Sequence, residues 1–404
     1  MAITGALDGI IVVDLSRVLA GPYATMLLGD LGARVIKIEQ PGRGDDTRHW
    51  GPPFTPNVES AYFLCANRNK ESVTLNLKDA KGHAIARDMI ARADIVVENF
   101  KVGNMAALGL GYEDLRKLNP GLIYCSITGY GQTGPYHDRP GYDAVIEAEG
   151  GIMSITGPAG DEAGEGHPYK VGVAIVDITA GLNAVVAILA ALHHRQQTGV
   201  GQAIDIALLD TQVGWLANVA SAYLISGQPP RRYGNAHGSI VPYQTVQASD
   251  GWLMIAVGND TQFQKLCALL NHPEWAVDSR FTTNQARVKH RTELLPLLEA
   301  EFACAPVSIW TERLSAVGIP TGPVNDIPTV LADPQVQARA MVQTVEHPIT
   351  GTIPLIGPVP KLSDTPATIH RPPPLLGEHT TAILYEWFGY TKDQVDELAA
   401  SGVI

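Results

Sequence analysis

Apolar residues come along this chain in short runs, each closed by glycine, proline or a charged loop. Ile10-Ile11-Val12-Val13-Asp14 reads as a buried strand. A short loop leads to Gly21-Pro22, where proline suits the first turn of a helix over about 22–31. Gly32 ends that helix, and Arg34-Val35-Ile36-Lys37-Ile38 is a second strand. Strand, helix and strand in so short a span form a βαβ unit, whose crossover rule implies a parallel sheet. The alternation continues: 79–92 has helical spacing, Ile95-Val96-Val97 and the run 122–127 read as strands, a helix over 178–197 stops at Gly199, and 202–206 follows as a strand. Repeated β then α predicts a Rossmann-like, doubly wound α/β domain.

The texture changes after about residue 225. Gln228-Pro229-Pro230-Arg231-Arg232 reads as a linker, 240–257 as short strands around the turn Ser249-Asp250-Gly251, and helical segments follow to about 317. The expected division is a large α/β domain beginning with 1–227, a smaller α+β domain over 228–325, and a return segment, 326–404, that completes the large domain. Gly322-Pro323 and Asp333-Pro334 mark the return, and Arg371-Pro372-Pro373-Pro374 precedes a helical stretch over 377–388.

With 45% hydrophobic and 17% charged residues among 404, the chain has the make-up of an ordinary compact protein. Its net charge of -12 argues against nucleic-acid binding, which needs a basic footprint, but leaves room for an anionic cofactor held by local basic groups. Four cysteines without a CxxC pair suit a reducing compartment, so a cytoplasmic protein is expected. Met1–Asp8 has neither a basic nor a long apolar region, so no leader is expected. The apolar stretch 171–192 is interrupted by Asp177, and 178–192 is shorter than the roughly 20 residues a membrane span needs. It reads as a buried helix. The histidines lack metal-binding spacing, and neither a G-x-S-x-G elbow nor a P-loop occurs, which removes metalloprotease, hydrolase and NTPase readings and leaves no metal expected.

Asp177 is the most informative residue, a lone carboxylate in Val171-Gly172-Val173-Ala174-Ile175-Val176-Asp177. It is either an N-cap, a role aspartate favours, or a nucleophile that forms a covalent intermediate. Four loops could hold a ligand. Ser16–Pro22 joins a strand to a helix, where anions bind, yet lacks the dinucleotide fingerprint. Gln40–Arg48 ends a strand, and Arg43, Arg48 and nearby Lys37 could hold phosphates, or the loop is simply solvated. Glu98-Asn99-Phe100 suits recognition of a base or an amide chain, unless Asn99 bonds its own backbone in a turn. The glycine-rich segment from Gly129 to Tyr136, with Pro140-Gly141-Tyr142-Asp143, can bring backbone N–H groups close to a ligand or can serve chain flexibility alone.

Read together, these pieces resemble the class III CoA-transferase family. The resemblance rests on Leu7-Asp8-Gly9-Ile10, Ala20-Gly21-Pro22, Gly32–Glu39, Gly44-Asp45-Asp46-Thr47-Arg48, Val97-Glu98-Asn99-Phe100, Gly129-Tyr130-Gly131 and Thr198-Gly199-Val200-Gly201-Gln202. Tyr233-Gly234-Asn235-Ala236-His237, 318–325 and Pro372–Gly377 look most like the branch that acts on dicarboxylyl-CoA. The resemblance implies an interlocked homodimer and places the catalytic aspartate at Asp177. It carries CoA contacts to Val18, Asn99 and Phe100, and puts Tyr142 and Asp143 near the thioester. The family's glycine loop falls at Val257-Gly258-Asn259-Asp260, which puts Gly258 and Asn259 beside the substrate. Gln40 and Ala107 stand where the formyl-CoA transferase branch has arginines, so Lys37, Arg43 and Arg48 are the expected substitutes at the CoA phosphates, with Gln40 beside them. The implied reaction moves CoA from a donor such as succinyl- or glutaryl-CoA to a small carboxylic acid, without metal, through acyl–aspartyl anhydrides and an aspartyl-CoA thioester. Two rivals remain: a 2-methylacyl-CoA racemase on the same fold, whose acid–base histidine falls at Tyr142, and a non-catalytic CoA-binding protein.

Overall fold

The computed structural model describes residues 5–57, 59–160 and 167–404; Met1–Thr4, part of the segment read for a leader, lie outside them. Contacts divide the chain into two compact units: residues 1–151, 171–217 and 334–404 form the first, and 152–170 with 218–333 the second.

The first unit is built on a six-stranded sheet made from β1 (Ile11–Asp14), β2 (Arg34–Glu39), β3 (Lys70–Thr74), β4 (Ile95–Glu98), β5 (Ile123–Thr128) and β6 (Ala203–Ala207). Their order is β3-β2-β1-β4-β5-β6, and every neighbouring pair is parallel. The central strands are buried on both faces, which is why they read as unbroken Val/Ile runs. Alternate side chains serve two cores. Val13, Ile36 and Val96 face one that holds Ile85 and Met89 of α2, where α1 is Ala20–Asp30 and α2 is Ala80–Ala91. The C-terminal helices Thr380–Phe388 and Lys392–Ala400 add Ile383, Leu384, Val395 and Leu398 to that core. Val12, Val35, Ile95 and Val97 face the other, shared with α1 and the long helix over Ile175–Thr198. By length and composition that helix could cross a membrane; here its face from Val176 to Leu192 fills the second core.

Winding reverses between β1 and β4. Loops leaving the carboxyl ends of these two strands diverge and open a crevice, the usual ligand position in such sheets. The floor beside it is ionic. Asp14 and Lys70 are both fully buried and paired at 3.0 Å, and buried Lys37 pairs with Asp45 at 2.9 Å. Lys70 also donates to the Pro22 carbonyl and to Asn67 Oδ1, each at 2.9 Å. Asp14 further accepts from the Thr25 hydroxyl and the Ser16 N–H. β3 (Lys-Glu-Ser-Val-Thr) escapes hydropathy reading because Lys70 turns into this network and the Ser72 hydroxyl donates to buried Glu39 at 2.6 Å.

The second unit carries an antiparallel sheet of β7 (Tyr243–Gln247), β8 (Trp252–Ala256) and β9 (Thr321–Pro323), with the expected Ser249–Gly251 turn joining the first two. Leu253, Ile255, Phe263, Phe281, Leu294 and Phe302 make its core. The hairpin of β10 (Val342–His347) and β11 (Gly351–Ile356), which no local pattern announced, belongs to the first unit.

Candidate active site

One short helix and one long one carry the central residues. α3 (Asp143–Glu149) follows the glycine-rich segment, and α4 (Ile175–Thr198) is the long helix. Asp177 is not the N-cap of α4, which corrects that reading: Ala174 occupies the cap position without a side-chain bond, and Asp177 is the third helical residue. Capping comes from elsewhere in the chain. Asp143 Oδ1 accepts the Val176 N–H at 2.8 Å and the Asp177 N–H at 3.2 Å. The free donors of this helix end are therefore answered by a second carboxylate, and the Asp177 side chain has no hydrogen-bond partner among the described residues. Burial pushes its carboxyl up from 3.8 to about 7, and the nearby Asp143 charge pushes the same way.

Asp177 borders a cavity of about 240 Å³ together with Val18, Asn99, Phe100 and Tyr142. The cavity lies at the carboxyl ends of β1, β4 and β5, so the crevice at the strand reversal and the lone carboxylate coincide. Beside it, α1 packs closely on α4. A Cβ at Gly181 would lie 2.7 Å from the Ala20 carbonyl oxygen, so only glycine lets the start of α1 approach α4 here.

The β1–α1 loop is held in an unusual shape. Val18 has φ of 72°, a left-handed conformation that a β-branched side chain rarely adopts. Its N–H donates to Asp45 Oδ1 at 3.2 Å. The neighbouring peptide is gripped by Asn99, whose Oδ1 accepts the Arg17 N–H at 2.9 Å and whose Nδ2 donates to the Arg17 carbonyl at 2.7 Å. Asn99 thus bonds the backbone of another loop, not its own. Strain of this kind costs about 1–3 kcal/mol and persists only where surroundings enforce it. Replacing Val18→Gly is expected to raise unfolding free energy by about 1 kcal/mol after allowing for the looser unfolded chain, while weakening ligand binding; chemical denaturation alongside a CoA-thioester titration checks both.

A larger cavity, about 440 Å³, adjoins the first and shares Arg17, Asp46 and Phe100 with it. Gln40, Arg43, Lys78 and Ala107 border it. Of the three cations expected at the phosphates, two are engaged internally. Lys37 is fully buried on Asp45 and the Ser16 carbonyl. Arg48 makes a two-pronged bond to Glu39, at 2.8 and 2.7 Å, and stacks over Phe63. They shape the loop and do not present free charge. Arg43 is exposed and, among the described residues, paired only with Asp46 at 2.8 Å. Lys78 follows β3, whose polar sequence carries no strand signal, so nothing local marks it as a site residue. Gly258 and Asn259 lie in the second unit and border neither cavity. Both bond Gln262 locally, Asn259 as cap of the helix Asp260–Leu269.

The model of CoA-transferase family III matches residues 7–380. Succinyl-CoA:glutarate CoA-transferase of Mus musculus is 48% identical over 98% of this chain and 90% of its own length. Succinate–glutarate CoA-transferase of Agrobacterium fabrum is 47% identical, covering 94% of this chain and 95% of its own. Among solved structures, a CaiB/BaiF family protein from Brucella suis matches with a TM-score of 0.83 at 46% identity, over 95% of this chain and 99% of the other.

Proposed function

This chain belongs to CoA-transferase family III and is an enzyme; from that premise we propose that it moves CoA from succinyl- or glutaryl-CoA to a small dicarboxylate such as glutarate, with Asp177 as nucleophile. The observation that carries the reading is the unpartnered Asp177 carboxyl, raised to about 7 by burial, on a cavity at the strand reversal. A carboxylate without donors keeps its electron pairs for attack. The relatives' names supply the acid pair.

The cycle balances without an outside reagent. Asp177 Oδ attacks the donor thioester carbon; the C–S bond breaks, giving an acyl–aspartyl anhydride and CoA thiolate. The thiolate attacks the aspartyl carbon, releasing the donor acid and leaving an aspartyl-CoA thioester. The acceptor carboxylate displaces the thiolate to form a second anhydride, and the thiolate then takes the acceptor acyl group and frees Asp177. The start of α1, which lacks a side-chain cap, offers N–H groups beside Ala20 to the developing oxyanions. The nucleotide end of CoA fits the larger cavity, with Arg43, Lys78 and Arg17 available to its phosphates and Phe100 to a flat face. Val18, Asn99 and Tyr142 bracket the path to Asp177.

The test is intact mass after incubation with succinyl-CoA and hydroxylamine or borohydride trapping. An adduct that maps to Asp177 and vanishes in Asp177→Asn supports the cycle. Exchange of the α-proton with solvent deuterium and no adduct from any short acyl-CoA would replace it with the racemase.

The assembly proposed is a cytoplasmic homodimer. Helix α5 (Ala217–Ser226) buries none of its side chains, and Leu224 and Ile225 are 80% and 88% exposed. So apolar an uncovered face marks an interface. Light scattering is expected to give twice the chain mass, and Leu224→Lys with Ile225→Lys is expected to shift the protein toward monomer or aggregate.

A further inference from the structure

We propose that Arg139 holds the distal carboxylate of the dicarboxylate at the Asp177 cavity and so sets the preference for diacids; this rests on the transferase reading above.

Four basic side chains border that cavity: Arg17, Lys101, His137 and Arg139. Arg17 also borders the larger cavity, where its guanidinium lies over Phe100 and 3.5 Å from Asp46. Lys101 is shared with a third cavity of about 300 Å³, away from Asp177. His137 turns its Nδ1 back onto the Gly134 carbonyl at 2.8 Å. Arg139 borders the Asp177 cavity and neither of the other two.

Its guanidinium carbon lies over the Tyr136 ring, 3.7 Å from the centroid. Stacking fixes the plane while leaving the N–H donors at its edge free for a two-pronged carboxylate bond. The support is itself braced. Tyr136 meets Tyr130 edge-on at 5.8 Å, and the Tyr130 hydroxyl donates to Glu149 at 2.8 Å. Glu149 is the last residue of α3, whose first residue, Asp143, caps the helix carrying Asp177. The two ends of one short helix therefore position the proposed carboxylate clamp and the nucleophile. The neck of the loop is pinned too, since a Cβ on Gly129 or Gly141 would collide with the other glycine's backbone. A diacid with one carboxyl reacting at Asp177 needs a cation for its second carboxyl in the same cavity, and this loop places Arg139 there.

The experiment compares kcat/KM for glutarate with that for pentanoate, its monoacid counterpart, using succinyl-CoA as donor. It also compares single-turnover adduct formation from succinyl-CoA and butyryl-CoA. Arg139→Gln is expected to lower each diacid-to-monoacid ratio by about 100-fold, the worth of a lost charge-assisted pair, mainly through KM; Arg139→Lys restores part of it. Equal losses for both acids would mean that Arg139 serves CoA or the fold, and an unchanged ratio would assign the role to another cation; either overturns the proposal. A wild-type enzyme that gives no adduct with any acyl-CoA would instead sink the transferase cycle, so the two failures are distinct.

Discussion

Asp177→Asn is expected to lower kcat by a factor on the order of 10⁴ or more and, in the same protein, to raise its stability at neutral and alkaline pH. The loss follows from removing the nucleophile in the proposed cycle. The gain follows from linkage. Burial, with help from Asp143, raises the folded carboxyl from 3.8 to about 7. A carboxyl whose folded pKa is raised binds its proton more tightly folded than unfolded. Its contribution is therefore most favourable below pH 4 and is lost as pH rises from about 4 through about 7. By pH 8 the wild-type protein bears the full cost of a charge without donors, up to about 4 kcal/mol at about 1.4 kcal/mol per unit. Asparagine has no charge to ionise. Thermal melts of both proteins at pH 5 and pH 8 should show the variant's advantage widening with pH; a constant gap would mean that Asp177 titrates near its ordinary value. Wild-type kcat/KM should climb tenfold per pH unit up to about pH 7 and level off, because the carboxylate form attacks.

The second large effect lies beneath the site. Asp14→Ala is expected to destabilise the fold by about 3–5 kcal/mol, because it strands the ammonium of Lys70 in a fully buried setting, while Lys37 keeps Asp45. Burial alone would raise the Asp14 carboxyl; the Lys70 and Lys37 charges outweigh it and, with the Ser16 and Thr25 bonds, bring it to about 2. With the folded pKa depressed, this stabilisation is present above about pH 4 and disappears as pH falls toward 2. Removing both partners in Asp14→Asn with Lys70→Met should cost much less than the two single changes added together. Urea titrations of the four proteins measure that difference, and strict additivity would show that the pair is not acting as a pair. Activity should fall as well, since Asp14 and Lys37 fix Ser16, two residues from the strained Val18.

Five of the six parallel strands could be read from sequence because their Val/Ile runs end at glycines and charged loops. β3 could not, because two of its buried residues are Lys70 and Ser72, and a buried cation looks like a surface one in any hydropathy pattern. Missing that strand hid the loop after it, and Lys78 with it. Asp177 stood out because a carboxylate amid small apolar residues needs a reason. Its helical position did not, since the cap that starts α4 two residues earlier is Asp143, distant in sequence. Lys37 and Arg48 looked like phosphate ligands for the converse reason: the partners that neutralise them, Asp45 and Glu39, appeared only as loop and strand residues. The membership of 152–170 in the second unit also has no local signature.

Asp143 answers the helix end and leaves Asp177 nothing to lean on. In the proposed cycle every covalent form of Asp177, anhydride or thioester, is uncharged. Acylation therefore relieves the resting enzyme of the one charge its surroundings reject. Starting high, the free enzyme lies closer in free energy to anhydrides that would otherwise be steeply uphill, so no step faces an outsized climb. A site that disfavours its own nucleophile thus makes CoA exchange readily reversible, its direction left to the relative amounts of the two acids and their thioesters.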